Sequence, residues 1–220
     1  MSNIQYRIIR SGRKSLSITV DRSGAVIVRA PLRMTDSVIG QFVREKSNWI
    51  AKAKKKVEEY DASHPPMSIS EGGQLMYMGE EYGVVRSNAA DIAISGKIIS
   101  IPRCYDMSQV TAWMKAEASH IIRERVYHYA SVTKLAPKSI RLTNARTRWG
   151  SCGGGGSLNF TWRLVMCPLS VIDYVVVHEL CHIVHRNHGR LFWESVEKIL
   201  PRYREAERWL KDNAKLIQMM

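Results

Sequence analysis

The run His178-Glu179-Leu180-Cys181-His182 holds the residue types of a hydrolytic metal site at a spacing that fits one. On a helix, two histidines four residues apart project from one face about one turn apart. That offset lets both imidazoles bind a single ion at roughly 2.0–2.1 Å. Glu179 points slightly aside, where its carboxylate reaches a metal-bound water without being a ligand. The combination is the zinc metallohydrolase pattern. With seven His and thirteen Glu in the chain, its chance expectation is only ~0.01.

A third ligand must come from nearby. On an unbroken helix, His188 would lie about 9 Å along the axis and about 120° around from His182, so the helix has to end first. Asn187 and Gly189 flank His188, and both tolerate the left-handed backbone of a reversal. His188 is the preferred third ligand, with His185, Glu194 and Glu197 as competitors. Three protein ligands leave one position open, as in catalytic rather than structural zinc sites. Cys181 points about 100° away from His182 and is expected in the core.

The elements that must position these groups follow from pattern. Ser170 and Asp173 fit a capping box that opens a helix reaching Ile183. Before it, Ser139–Leu142 and Ser157–Met166 read as strands joined through Gly150 and the run Gly153–Gly156, and Pro168 stops the second. After it come helical patterns at Gly189–Leu200 and Pro201–Ile217. Upstream, Asp106–Leu135 reads as one long helix. Residues 4–8, 16–20 and 25–28 alternate as short strands, and Gln74–Met78 with Tyr82–Arg86 and Ile92–Ser95 with Ile98–Ile101 read as hairpins. Between them, Thr35–Tyr60 reads as a single helix with Val38, Phe42, Trp49, Ile50 and Val57 on its apolar side, broken by His64-Pro65-Pro66. The expected organisation is a strand-rich basic region with one long helix at 1–105 and a catalytic domain at 106–220.

Composition narrows the class. The chain has 220 residues, 45% hydrophobic and 24% charged, which excludes disordered, collagen-like and disulfide-stapled proteins. No apolar run approaches the length of a membrane span, and the basic N-terminus lacks the apolar block of a secretory signal. With four scattered cysteines, the expectation is reduced thiols in the cytoplasm. The net charge is +13, and residues 1–60 hold thirteen bases against five acids. Such an excess favours polyanionic partners.

Arg148-Trp149-Gly150-Ser151-Cys152, Trp162-Arg163-Leu164 with Pro168, the run Ile172–His182, Asn187-His188 and Phe192-Trp193 together resemble the YgjP-like metallopeptidase family. That family is described as predicted metal-dependent hydrolases related to SprT-like and WLM zincins. The resemblance is dense over 140–195 and looser elsewhere. It implies an α+β, zincin-like metallohydrolase domain whose active-site helix bears His178, Glu179 and His182. It also implies His188, in the context His188-Gly189-Arg190-Leu191-Phe192, as third ligand, and a small flanking sheet with Ser157–Met166 as its edge.

The leading reading is a zinc-dependent metallopeptidase with one Zn²⁺ per chain, although other divalent transition metals fit such a site. Zinc lowers the pKa of its water and polarises a peptide carbonyl, and Glu179 acts as general base. Arg148, Tyr203 and Arg204 are the candidates to meet substrate or its oxyanion. An alternative keeps the metal and hydrolyses nucleoside triphosphates, using Arg146, Arg148, Arg163, Arg186 and Arg190 to hold phosphates. A third reading is a DNA-associated protease whose basic helix, from Arg44 through Lys46, Lys52, Lys54, Lys55 and Lys56, interleaves Trp49. The plainer expectation turns Trp49 into the core. Polypeptide is the expected partner, with no membrane, and oligomeric state is not readable from the sequence.

Overall fold

Alternation in the first thirty residues builds a three-stranded sheet. In the computed structural model, which describes residues 4–21, 23–63 and 67–214, β1 (Tyr6–Ser11) pairs parallel to β3 (Val26–Pro31) and β2 (Ser17–Val20) pairs antiparallel to it. Every second residue of β3 is buried, so Val26, Val28 and Ala30 meet Ile39 and Val43 of α1 (Asp36–Glu45) and Ile50 of α2 (Ser47–Ser63). The expected single helix over 35–60 is therefore two, parted at Lys46. This corrects the expected core as well. The seam runs through Ile39, Val43 and Ile50, while Trp49, one residue and about 100° off it, is 49% exposed and Val38 is exposed too. His64-Pro65-Pro66 lies outside the described residues.

The chain divides into two compact units, 1–66 and 67–220. The boundary expected near Tyr105 falls inside the second, because the next sheet packs forward in sequence. There β4 (Gln74–Tyr77), β5 (Glu80–Ser87), β7 (Ile98–Pro102) and β6 (Ala93–Ser95) lie side by side in that order. Leu75, Val84, Ile99 and Ile101 pack on Val110 of α3 (Met107–Thr133). The β4–β5 turn is tied to the later chain: Met78 and Gly79 donate their N–H groups to the carbonyls of Val165 and Met166 at 2.7 and 3.0 Å. Gly79 has φ 81°, and a Cβ there would stand 2.5 Å from Pro168 Cγ, so glycine is required on both counts.

The long helix α3 begins with a capping box. The Asp106 carboxylate accepts from the N–H groups of Ser108 and Gln109, and the Gln109 side chain accepts from the Asp106 N–H. It ends at left-handed Lys134. A second three-stranded sheet follows, from β8 (Ser139–Thr143), β9 (Gly150–Cys152) and β10 (Ser157–Thr161) in the order β8-β10-β9. The expected strand over 157–166 stops at Thr161 and gives way to a buried 3-10 turn, Trp162–Met166. Its expected place at the sheet edge is also corrected: β10 is central, with β8 and β9 at the two edges.

Three helices complete the unit, α4 (Leu169–Cys181), α5 (Arg190–Ile199) and α6 (Tyr203–Asp212). The expected Ser170–Asp173 capping box does not form, because α4 starts at Leu169 after Pro168 without a side-chain cap. Asp173 instead meets Arg125 of α3 with two hydrogen bonds, Nε to Oδ1 at 2.5 Å and Nη2 to Oδ2 at 3.0 Å. Val171, Ile172, Val175, Val176, Val177, Leu180 and Cys181 bury α4 in the main core, against Met114, Ile122, Leu158 and Phe160. The architecture is a mixed α+β one. No helix among the described residues is long and apolar enough to cross a membrane.

Candidate metal centre

The last turns of α4 carry His178 and His182, and the chain then reverses so that His188 returns over them. His188 Nε2 lies 3.0 Å from His178 Nε2 and 3.1 Å from His182 Nε2. Among the described residues these three form the group whose ligand atoms all lie within 4.8 Å of one another. The competitors face elsewhere. His185 Nε2 lies 3.2 Å from the Ser195 hydroxyl, Glu194 pairs with Arg190 and Glu197 with Arg204.

The tautomer of His182 follows from its neighbours. His182 Nδ1 lies 2.8 Å from the His185 carbonyl, which only accepts, so Nδ1 carries the proton and Nε2 presents a lone pair. Such an outer hydrogen bond orients an imidazole and raises its basicity as a ligand. Burial, with His182 and His188 close by, lowers the pKa of His178 to about 3. Burial and His182 lower that of His188 too. His178 and His188 are thus held toward the neutral form, and nitrogens of all three rings converge on one point. Bonds of roughly 2.0–2.1 Å from an ion span nitrogens about 3 Å apart, so the donor set fits a transition metal.

Aromatic rings close the site from the side of α5 and α6. Trp193 stacks on His188 with centroids 5.7 Å apart, and Tyr203 stacks on Trp193 at 5.3 Å. Tyr174 lies stacked beyond Tyr203 and meets His178 edge-on. Phe192 is buried against His178 and His182. Tyr203 therefore stands within the wall that backs the histidines, itself buried, with Arg204 over its ring.

Glu179 is 6% exposed, and burial raises its pKa to about 7 against the opposing pull of Arg148. Its carboxylate lies against the backbone of β9, where a Cβ on Gly150 would stand 2.7 Å from both Cγ and Oε1. Gly150 is thus part of the site, because no larger residue leaves room for this carboxylate. That role was not legible in the sequence, where Gly150 reads as a turn residue. The outer edge of β9 pairs with no strand among the described residues.

The arginines gathered around the motif divide by contact. Arg186 donates to the carbonyls of Gly153 and Gly154 at 3.2 and 2.8 Å and so holds the glycine loop between β9 and β10. Arg163 is buried, stacks over Trp162 and donates to the Asn144 carbonyl. Arg190 pairs with Glu194. Arg148 is exposed on the loop before β9 and near enough to Glu179 to act on its charge.

No curated protein matches this chain. Among solved structures, the metallopeptidase zymogen abylysin of Pyrococcus abyssi is similar to it at 18% identity with a TM-score of 0.38, over 42% of this chain and 94% of that one. The model of the YgjP-like metallopeptidase domain matches residues 14–213, and the chain belongs to the YgjP-like family.

Proposed function

We propose that the protein is a zinc metallopeptidase in which His178, His182 and His188 hold the ion and Glu179 is the general base. The observation that carries this reading is the convergence of three imidazoles beside a buried carboxylate and an open strand edge. Membership of a metallopeptidase family implies a metal, and three nitrogen ligands with one position left open suit catalytic zinc. When bound, zinc lowers the pKa of its water toward neutrality and polarises the scissile carbonyl.

The residues of the chain do the rest. An extended polypeptide lies along the free edge of β9 through main-chain hydrogen bonds, which sets its carbonyl over the histidines. Glu179, confined between α4 and Gly150, takes a proton from the attacking water and returns it to the leaving amine. Arg148 is exposed, near enough to Glu179 to act on its charge, and is assigned to substrate. Tyr203, first read as a substrate contact, is assigned to holding Trp193 against His188.

Unfolded polypeptide and nucleoside triphosphates, offered in parallel to zinc-loaded protein, test the reading. New peptide termini that vanish with Glu179→Ala are expected. Phosphate release that vanishes in that variant, without new termini, overturns it.

A further inference from the structure

Register divides the sheet β8-β10-β9 into two chemically different faces. Gly150 pairs with Phe160, Cys152 with Leu158, and Leu142 and Ile140 with the same two residues. Leu158 and Phe160 are buried in the core with α4, and the Cβ direction of Gly150 meets Glu179. This face therefore looks toward the histidines. The alternate set, Thr143, Ser151, Asn159 and Thr161, looks the other way.

On that reverse face lies a cavity of about 230 Å³, lined by those four side chains with Ala145, Arg148, Trp149 and Gly150. The Thr161 hydroxyl donates to the Ala145 carbonyl at 2.8 Å and its N–H to the Trp149 carbonyl at 2.9 Å. These bonds fix the loop 144–149 as the cavity wall. The Asn159 amide donates one N–H to the Ser151 carbonyl at 3.5 Å, at the limit of a hydrogen bond, which leaves its second N–H for a ligand. Arg148 is the one charged side chain in the lining, and it is a cation. The volume is below the roughly 300–1,000 Å³ of a site for a whole small molecule, and it suits one side chain.

We propose that this cavity is the subsite for an aspartate or glutamate side chain of an extended substrate added to the edge of β9, which makes acidic polypeptides the substrate class. In an added strand, successive side chains point to opposite faces of the sheet. Where one set faces the histidines, the next enters the cavity, where the Asn159 amide and the Arg148 guanidinium receive a carboxylate. The inference rests on the peptidase reading, and the experiment separates the two.

Binding is measured by anisotropy on zinc-loaded Glu179→Ala protein, with fluorescein-labelled twelve-residue peptides of alternating Glu and Ala, of alternating Lys and Ala, and of alternating Gln and Ala. The acidic peptide is expected to bind about tenfold tighter than the isosteric Gln peptide, and the basic one weakest. Asn159→Asp, nearly isosteric, and Asn159→Leu, which fills the cavity, are each expected to remove that tenfold preference. Equal binding of the acidic and Gln peptides, or a preference unchanged in both variants, overturns the subsite. So does competition by a twelve-residue oligothymidylate that depends on Asn159, since the face then serves a polynucleotide. Cleavage by the unsubstituted protein is read separately. Asn159-dependent binding with no cleavage leaves the subsite standing and removes the peptidase reading, whereas cleavage without the acidic preference does the reverse.

Discussion

Glu179 and Gly150 show how a single missing atom shapes this site. The buried carboxylate has room only because residue 150 lacks a Cβ, so Gly150→Ala must displace it. Misplacement by about 1 Å costs on the order of 100-fold in rate. Turnover is expected to fall by that factor while zinc stoichiometry, read by metal analysis, stays at wild-type level. Burial of Glu179 also has a pH signature in the metal-free protein. Its pKa rises from 4.5 to about 7 on folding, so between those values the folded state binds the extra proton and stability falls as pH rises. His178, lowered to about 3, works in the opposite direction below pH 6.5, which makes a difference between variants the clean measurement. Metal-free Glu179→Gln is expected to match the unsubstituted chain near pH 4.5 and to exceed it by about 3 kcal/mol at pH 8. Urea unfolding at both pH values checks this, and a difference that shrinks with pH contradicts it.

At the scale of elements, α4 is held from both sides. Its N-terminal turn is fixed by the Arg125–Asp173 pair to α3, and its C-terminal turns face β9 and the loop gripped by Arg186. Asp173→Ala leaves the half-buried Arg125 guanidinium without its main partner and is expected to cost about 2 kcal/mol. A thermal unfolding series that includes the double variant Arg125→Met/Asp173→Ala checks it, since removing both charges should restore much of the loss. This pair also marks the limit of reading by sequence. The spacing of Ser170 and Asp173 satisfies a local capping rule, but a partner forty-eight residues away in sequence takes the carboxylate. The four-residue spacing of the two histidines on α4 and the reversal that returns His188 to them were legible, because helical geometry acts over a few residues. The edge position of β9 was not, because strand order is settled by long-range pairing that a three-residue strand does not announce. The break at Lys46 was missed for a related reason: a helical period continued across a kink assigns Trp49 to the wrong face.

For the whole molecule, the cores separate cleanly along the chain. The cluster around Val28 and Ile39 draws its buried residues from 26–50, and the two clusters around the histidine helix and the four-stranded sheet draw theirs from 75–206. The second unit therefore contains the three converging histidines, Glu179, Gly150 and the aromatic wall. Residues 67–220 alone are expected to unfold in one cooperative transition and to bind one zinc as the full chain does. Circular dichroism melting with metal analysis tests this, and a broad, non-cooperative melt contradicts it. The central claim, that three histidines hold a zinc whose chemistry depends on Glu179, is met most directly by measuring zinc occupancy and new peptide termini on the same samples. The unsubstituted protein and Glu179→Gln should each carry one zinc per chain, and only the former should produce new termini, in proportion to its zinc. Termini that persist in Glu179→Gln, or that form without regard to zinc content, would contradict the account.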